Sequence, residues 1–301
     1  MALIRNLANL TRLGLLVPHG EHTRRVRDQL ADAERLRKAR VHPIALLSAL
    51  RTYAAGRGMR GAHTWTPIST LVEALDAAFY LSFGNVTPAG GRWLLALDVS
   101  GSMTFSQIAG VPGLTPRDAS AAMSLVTAHV EADYLVMGFS TQFTPLAITR
   151  GQRLDDAIRT VSGLPFSGTD CALPMAWAMK HKVPVDTFVI YTDSETWFGD
   201  IHPAKALERY RQSTGIRARL VVVGILANGF SIADPEDPGM LDVVGFDTAT
   251  PQLISDFASG SLRSRSPNDE FARTTRIFVV GWPTHRRGLR CWSCSRTEAS
   301  P

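Results

Sequence analysis

Residues 94–103 read LLALDVSGSM, and the fold follows from how that stretch begins and how it stops. Its first half is a run of apolar residues, long enough for a buried strand and too short for a helix that spans anything. The run ends at Asp98, after which Ser100 and Ser102 alternate with Val99 and Gly101. This is a strand running into an oxygen-rich loop. In open α/β sheets the carboxyl ends of central parallel strands border the crevice where ligands bind. One carboxylate and two hydroxyls within five residues are hard oxygen donors. They suit a Mg²⁺-like ion that keeps several waters, and Mn²⁺ and Ca²⁺ accept the same donors.

Downstream, strand and helix signals alternate. Strands are expected at 93–99, 134–139, 187–192 and 220–226, with a weaker one at 243–246 and an edge strand at 143–148 that carries Pro145. Thr115-Pro116-Arg117-Asp118 starts a helix over 119–131 with a hydroxyl cap, a proline in the first turn and an acid at the third position. Further helices are expected at 154–161, 173–182, 204–213 and 252–258. Such alternation predicts a doubly wound, mostly parallel α/β sheet with helices on both faces.

Upstream, residues 1–85 read as all-helical. Leu3, Leu7, Leu10 and the leucines at 13 and 15 fall on one face of a first helix, and a polar, Arg-dense helix is expected over 21–40. His42-Pro43 opens a helix over 44–55, and Thr66-Pro67 opens another over 68–83. The turn-rich GNVTPAGG at 84–91 divides a helical region, 1–85, from the α/β region, 86–260. The remainder, 261–301, is rich in Ser, Arg and Pro; its one apolar burst, at 277–280, has no evident partner, so a loosely ordered tail is expected.

Charge is unevenly spread along the 301 residues: residues 1–90 carry 12 Lys/Arg against 6 Asp/Glu, residues 91–259 carry 12 against 18, and residues 260–301 carry 8 against 3. The basic ends are candidates for contact with a polyanion, whereas the acidic middle is a poor host for phosphates without a bound cation. Arg24, Arg25, Arg35, Arg37, Lys38 and Arg40 form the densest basic stretch, read evenly as an RNA-contacting face or as the solvated side of a helix that also carries Asp28, Asp32 and Glu34. Three cysteines make no disulfide framework in a chain of this length, and no apolar stretch approaches the length of a membrane span. A cytoplasmic protein is expected.

Two later stretches join the Asp98 loop. Phe166-Ser167-Gly168-Thr169-Asp170 offers Thr169 between two apolar helices, and Tyr191-Thr192-Asp193-Ser194 ends a strand in an acid. If the strands at 94 and 187 are neighbours, Asp98 and Asp193 lie side by side, and a cation between them relieves their repulsion. DVSGSM, SGTD and IYTDSE in this order resemble the metal-ion-dependent adhesion site of von Willebrand factor A domains. The resemblance implies hydroxyl ligands from Ser100, Ser102 and Thr169, and Asp98 and Asp193 binding directly or through water. It also implies a protein partner whose acidic group completes the coordination shell.

A narrower resemblance spans more of the chain. ARVHPIALLSALRTYAAGRG, ALDAAFYLSFGNVTP, LLALDVSGSM, FSGTDCALPMAWA and GFDTATPQLISDFASG together resemble the carboxyl half of the 60-kDa Ro autoantigen, or TROVE-domain, family. In that family a ring of HEAT-like helical repeats is closed by an A-type domain. The ring binds small structured noncoding Y RNAs on its outside and admits the ends of misfolded RNAs into its hole. The resemblance implies that this sequence starts near the last helices of the ring, so that a separate chain would complete it.

Three functions are weighed. The first is a noncatalytic RNA-binding ribonucleoprotein component with a divalent-metal interaction domain. The second is a free-standing A-type domain that binds an acidic group of a protein partner. The third, a metal-dependent phosphoester hydrolase, is disfavoured because Ser100 stands two after Asp98, where such an enzyme places a second acid, and no general base is evident. Cys171 has no histidine near it in sequence to activate a thiolate and reads as a small buried residue. The lone Cys291-Trp292-Ser293-Cys294 has no second ligand pair for zinc. His42, Trp65, Trp177 and Trp197 read as structural.

Overall fold

The computed structural model describes residues 2–58, 63–162, 168–193, 199–226, 232–234, 236–246, 249–261 and 276–278. The helical region contains α1 (Ala2–Arg12), α2 (Glu21–Leu30), α3 (Ala33–Lys38), α4 (Pro43–Ala54) and α5 (Ser69–Leu81), closed by a 3₁₀ turn at Ser82–Asn85. The α/β region follows as β1 (Arg92–Asp98), α6 (Ser102–Phe105), α7 (Pro116–Val130), β2 (Asp133–Phe139), β3 (Phe143–Pro145), α8 (Leu154–Ser162), α9 (Leu173–Lys180) and β4 (Thr187–Thr192). It continues with α10 (Pro203–Thr214), β5 (Arg219–Gly224), β6 (Met240–Val244), α11 (Thr250–Ala258) and β7 (Arg276–Phe278).

The strands form one sheet in the order β3-β2-β1-β4-β5-β6-β7. Only β3 is antiparallel, so the expected doubly wound, mostly parallel sheet is what the chain builds. Strand β1 has β2 on one side and β4 on the other, which makes the carboxyl end of β1 the point where the winding reverses. Alternate residues of the central strands go to opposite layers. Leu95, Leu97, Val189 and Val221 pack with the helical region, α7, α8 and α11, while Leu94, Ala96, Phe188 and Ile190 pack with α9 and α10.

The helical region shares the first of these cores, with Phe79 and Phe83 in the same cluster as Trp93 and Val126. Residue 85 therefore divides element types and does not divide the packing. Polar contacts secure the joint: Leu154 N donates to Tyr80 Oη at 2.9 Å, Arg153 pairs with Asp76 at 2.6 Å, and the Glu131 carboxylate accepts from Ala89 N at 2.7 Å and Gly90 N at 3.0 Å.

Several sequence expectations need correction. The first helix ends at Arg12 because Gly14 adopts φ +72°, a left-handed conformation that glycine supplies without strain; Leu13 and Leu15 fall beyond it and are exposed. The helix expected over 21–40 is two, because the Asp32 carboxylate accepts from Arg35 N at 2.9 Å and so caps a fresh start at Ala33. The helix expected from 68 begins at Ser69, where Ile68 N donates to Tyr53 Oη at 3.2 Å in place of the Thr66 cap. The edge strand stops at Pro145, where a ladder donor is missing. Within the tail expected to be loosely ordered from 261, Arg276–Phe278 forms β7, whose backbone pairs with β6; the expectation for 262–275 and 279–301 lies outside the described residues. Cys291, Cys294 and Trp197 lie outside the described residues.

Candidate metal centre and nucleic-acid interface

Strand β1 delivers Asp98 to the sheet's carboxyl rim with its side chain fully buried, 0% exposed. Parallel pairing of Leu97 with Tyr191 sets Thr192 next to Asp98, and Thr192 Oγ1 donates to Asp98 Oδ2 at 2.7 Å. Asp98 Oδ1 accepts from Ser100 N at 2.8 Å, which bends the loop so that the alternating hydroxyls turn back toward the strand end. Ser100 Oγ and Ser102 Oγ lie 3.0 Å apart, Ser102 Oγ donates to Asp193 Oδ1 at 3.1 Å, and Thr169 Oγ1 donates to Asp98 Oδ2 at 3.4 Å. All five residues singled out in the sequence, Asp98, Ser100, Ser102, Thr169 and Asp193, thus belong to one hydrogen-bonded cluster.

Sequence reasoning missed two contributors. Thr192 was visible only as the last residue of a strand, and its role follows from the β1–β4 register. Arg117 was visible only as part of the Thr115-Pro116-Arg117-Asp118 helix start, with nothing local to tie it to the Asp98 loop. Arg117 is 3% exposed, and Nη2 donates to the carbonyls of Val99 and Ser100, each at 3.1 Å. The DxSxS loop therefore rests on a buried cation.

Burial raises the Asp98 carboxyl above the usual carboxylate range; its hydrogen bonds from Ser100 and Thr192 oppose the shift and the Asp193 charge adds to it. Asp193 is raised by burial, against the hydrogen bond from Ser102. Two acids that resist ionising side by side, with three hydroxyls around them, make a donor set of the kind that hard divalent ions take. No group of three or more His, Cys, Asp or Glu side chains placed to hold a metal occurs among the described residues, so the cluster's hydroxyls are essential to any cation site here. Cys171 lies buried beside this rim, and burial pushes its thiol up, away from thiolate chemistry.

The basic stretch lies on α2, α3 and the residues after them, and Arg24, Arg25, Arg35, Arg37, Lys38 and Arg40 are all exposed. Arg35 lies 3.8 Å from Asp32 and Lys38 2.9 Å from Glu34. Arg24, Arg25, Arg37 and Arg40 form no ion pair among the described residues. His42 Nδ1 accepts from Ile44 N at 3.2 Å and caps α4, and Trp65 stacks on Tyr53 with Nε1 donating to the Tyr53 carbonyl at 2.9 Å. Trp177 packs between Phe143 and His181.

Comparison with known proteins places these features in context. Residues 92–258 match the family model described as the Ro60 vWA domain, and residues 1–52 match that of the TROVE domain. The chain is 51% identical over 261 residues to the RNA-binding protein RO60 of Deinococcus radiodurans, covering 86% of this chain and 49% of that protein. It is 44% identical over 262 residues to the RNA-binding protein RO60 of Caenorhabditis elegans, covering 87% of this chain and 40% of that one. The crystal structure of the Deinococcus radiodurans RO (RSR) protein superposes with a TM-score of 0.83 at 50% identity, covering 87% of this chain and 53% of that chain. The chain spans about half the length of the curated relatives it matches or less.

Proposed function

Because this chain belongs to the Ro60 family, with that family's A-type domain at 92–258 and a TROVE segment at 1–52, we propose that it is a noncatalytic RNA-binding component of a cytoplasmic ribonucleoprotein. Its RNA is a small, structured, noncoding one of the Y RNA kind, held through phosphates. The observation that carries this reading is the set of exposed arginines on α2, α3 and the residues after them. Arg24, Arg25, Arg37 and Arg40 have no intramolecular ion pair among the described residues to give up, so each guanidinium is available to grip a phosphate by two parallel hydrogen bonds. Arg35 and Lys38 contribute less, since they would exchange Asp32 and Glu34 for the RNA.

The experiment is a filter-binding titration of the chain against a structured small RNA across a salt series. Four phosphate contacts imply a log–log salt slope of about −3 to −4. The combined R24Q, R25Q, R37Q and R40Q substitutions should flatten that slope, and wild-type affinity that is absent or indifferent to salt refutes the proposal.

On the same reading the A-type domain takes a divalent ion, Mg²⁺ in the first place, with Mn²⁺ or Ca²⁺ acceptable. Ser100, Ser102 and Thr169 would offer hydroxyls, and Asp98 and Asp193 would bind directly or through water. A bound ion would supply a Lewis-acidic position for a carboxylate brought by a partner. Thr192 and Ser100 N hold the Asp98 carboxylate in place, which suits gripping a hydrated cation and does not suit attack on a phosphoester. The second reading, an A-type domain engaging a protein partner without RNA, is favoured by this cluster alone, and it predicts that the quadruple arginine variant is silent while Asp98→Ala abolishes partner capture.

A further inference from the structure

Helix α6 follows directly on the metal loop and sends its apolar residues in opposite directions. Met103 is fully buried, whereas Phe105 is 88% exposed, well beyond the next most exposed large apolar side chain among the described residues, Leu13 at 55%. Aromatic rings on a soluble protein normally gain by burial, so a ring left almost bare on a held turn needs an account. The turn is indeed held: Met103 N donates to Ser100 O at 3.3 Å, Thr104 N to Gly101 O at 3.0 Å, and Thr104 Oγ1 to Gly101 O at 2.6 Å.

Nor does the ring point away from the site. A Cβ built on Gly101 would lie 3.4 Å from Phe105 Cε2, so the ring folds back over the residue between Ser100 and Ser102. Gly101 has ordinary helical angles, φ −60° and ψ −35°, and glycine is not required there by the backbone. A Cβ there would meet the ring at ordinary van der Waals distance, so the ring lies within contact range of the loop that carries Ser100 and Ser102.

We propose that Phe105 is the apolar half of a docking site whose polar half is the metal loop, and that its occupant is a protein segment presenting one carboxylate next to a large apolar side chain. This rests on the metal reading of the Asp98 cluster. The carboxylate meets the ion, and the apolar neighbour covers Phe105. An RNA strand placing a phosphate on the ion and a base on the ring is the competing occupant, and charge argues against it. Residues 91–259 carry 12 Lys/Arg against 18 Asp/Glu, and Asp170 follows Thr169 directly in the chain. A polyanion would meet that field along its whole length, whereas a peptide brings the single charge that the ion neutralises.

The test uses the full chain, the Phe105→Ser variant, Mn²⁺ uptake followed by electron paramagnetic resonance, and calorimetric titration at saturating Mn²⁺. The probes are a capped Gly-Leu-Glu-Leu-Gly peptide, a capped Gly-Gly-Glu-Gly-Gly peptide and hexauridylate. Wild type should prefer the leucine-flanked peptide by about tenfold, the gain from covering part of one ring. In Phe105→Ser that preference should fall to about one while Mn²⁺ affinity stays unchanged. Equal affinities for the two peptides in wild type, a preference that survives Phe105→Ser, or a loss confined to hexauridylate overturns the proposal and leaves the metal reading standing. A wild-type chain that takes up no Mn²⁺ overturns both.

Discussion

Replacing Arg117 should separate what the Asp98–Ser102 loop owes to its support from what the proposed cation site owes to its own oxygen donors. Arg117 is the second residue of α7, where a positive charge opposes the helix dipole at a cost of about 0.3–1 kcal/mol. Its guanidinium is also buried, and burial pulls its proton affinity down while the Asp98 and Asp118 charges push it up. A cation kept in such a place must be compensated, and the pair of 3.1 Å bonds from Nη2 to the Val99 and Ser100 carbonyls contributes to that compensation. Hydrogen bonds from a charged donor contribute about 1.5–3 kcal/mol each. After the dipole penalty is recovered, Arg117→Met should cost about 3 kcal/mol of unfolding free energy in urea titrations. The effect on Mn²⁺ uptake is the sharper measurement. If the clamp matters most, freeing the loop makes binding pay for ordering Val99 and Ser100 again, about 1–2 kcal/mol per residue, and affinity falls about tenfold or more. If the charge matters most, removing a cation from beneath the site tightens Mn²⁺ instead. Arg117→Lys decides between them, since it keeps the charge and loses the planar fork. Weaker Mn²⁺ binding in both variants is the expected result, and a methionine variant that binds as tightly as wild type refutes the clamp.

Two further perturbations test neighbouring parts of the argument. Burial lowers His42 from 6.5 to about 4, and a second proton would have to settle on Nδ1, the nitrogen that accepts from Ile44 N. The folded value lies below the unfolded one, so this contribution is whole above pH 6.5 and is lost as pH falls toward 4; at the lower value the loss reaches about 3 kcal/mol. His42→Asn keeps an acceptor for Ile44 N. In urea titrations it should therefore match wild type within about 1 kcal/mol at neutral pH and become the more stable of the two near the lower value. Parallel stability curves would remove His42 as the cause. Thr192→Val deletes the 2.7 Å bond to Asp98 without changing side-chain shape and leaves a buried carboxylate oxygen less satisfied, at a cost of about 1–3 kcal/mol. Added Mg²⁺ should restore part of that stability, and a melting temperature insensitive to Mg²⁺ in both proteins would count against a cation at this rim.

The parts of the molecule that could be read from the chain are those encoded within a few residues. Asp98-x-Ser100-x-Ser102 is such a case: a strand's end and the turn after it are local, so the alternation of hydroxyls survives in the linear order. The same holds for Thr115 and Asp118, which form the reciprocal cap at the start of α7 as their spacing suggests. What stayed hidden depends on contacts across the sheet. Thr192 becomes a partner of Asp98 only through the register of β1 with β4, and Arg117 reaches the loop carbonyls of Val99 and Ser100 from a separate helix. Helix boundaries failed for a related reason. Tyr53, on α4, takes over the start of α5, and no rule about residues next to Pro67 can see a hydroxyl that arrives from 15 positions away.

That distinction also bears on how the two proposed functions relate. The basic residues and the proposed cation site are built from different material: the first from exposed side chains on α2, α3 and the residues after them, the second from a buried cluster at the winding reversal of the sheet. Exposed cations interact through solvent and are screened within about 8–10 Å at physiological salt, while the Asp98 cluster is shielded by its own burial. Salt should therefore weaken RNA binding without loosening a divalent ion, and chelation should release an acidic partner without releasing RNA. The core offers a route by which the two could still communicate, because α5, α7 and the β1 strand that ends in Asp98 pack in one cluster. Coupling through that route requires that RNA affinity change when Mn²⁺ is bound, by the same factor as Mn²⁺ affinity changes when RNA is bound. Independent binding of the two would mean that the shared core carries stability alone.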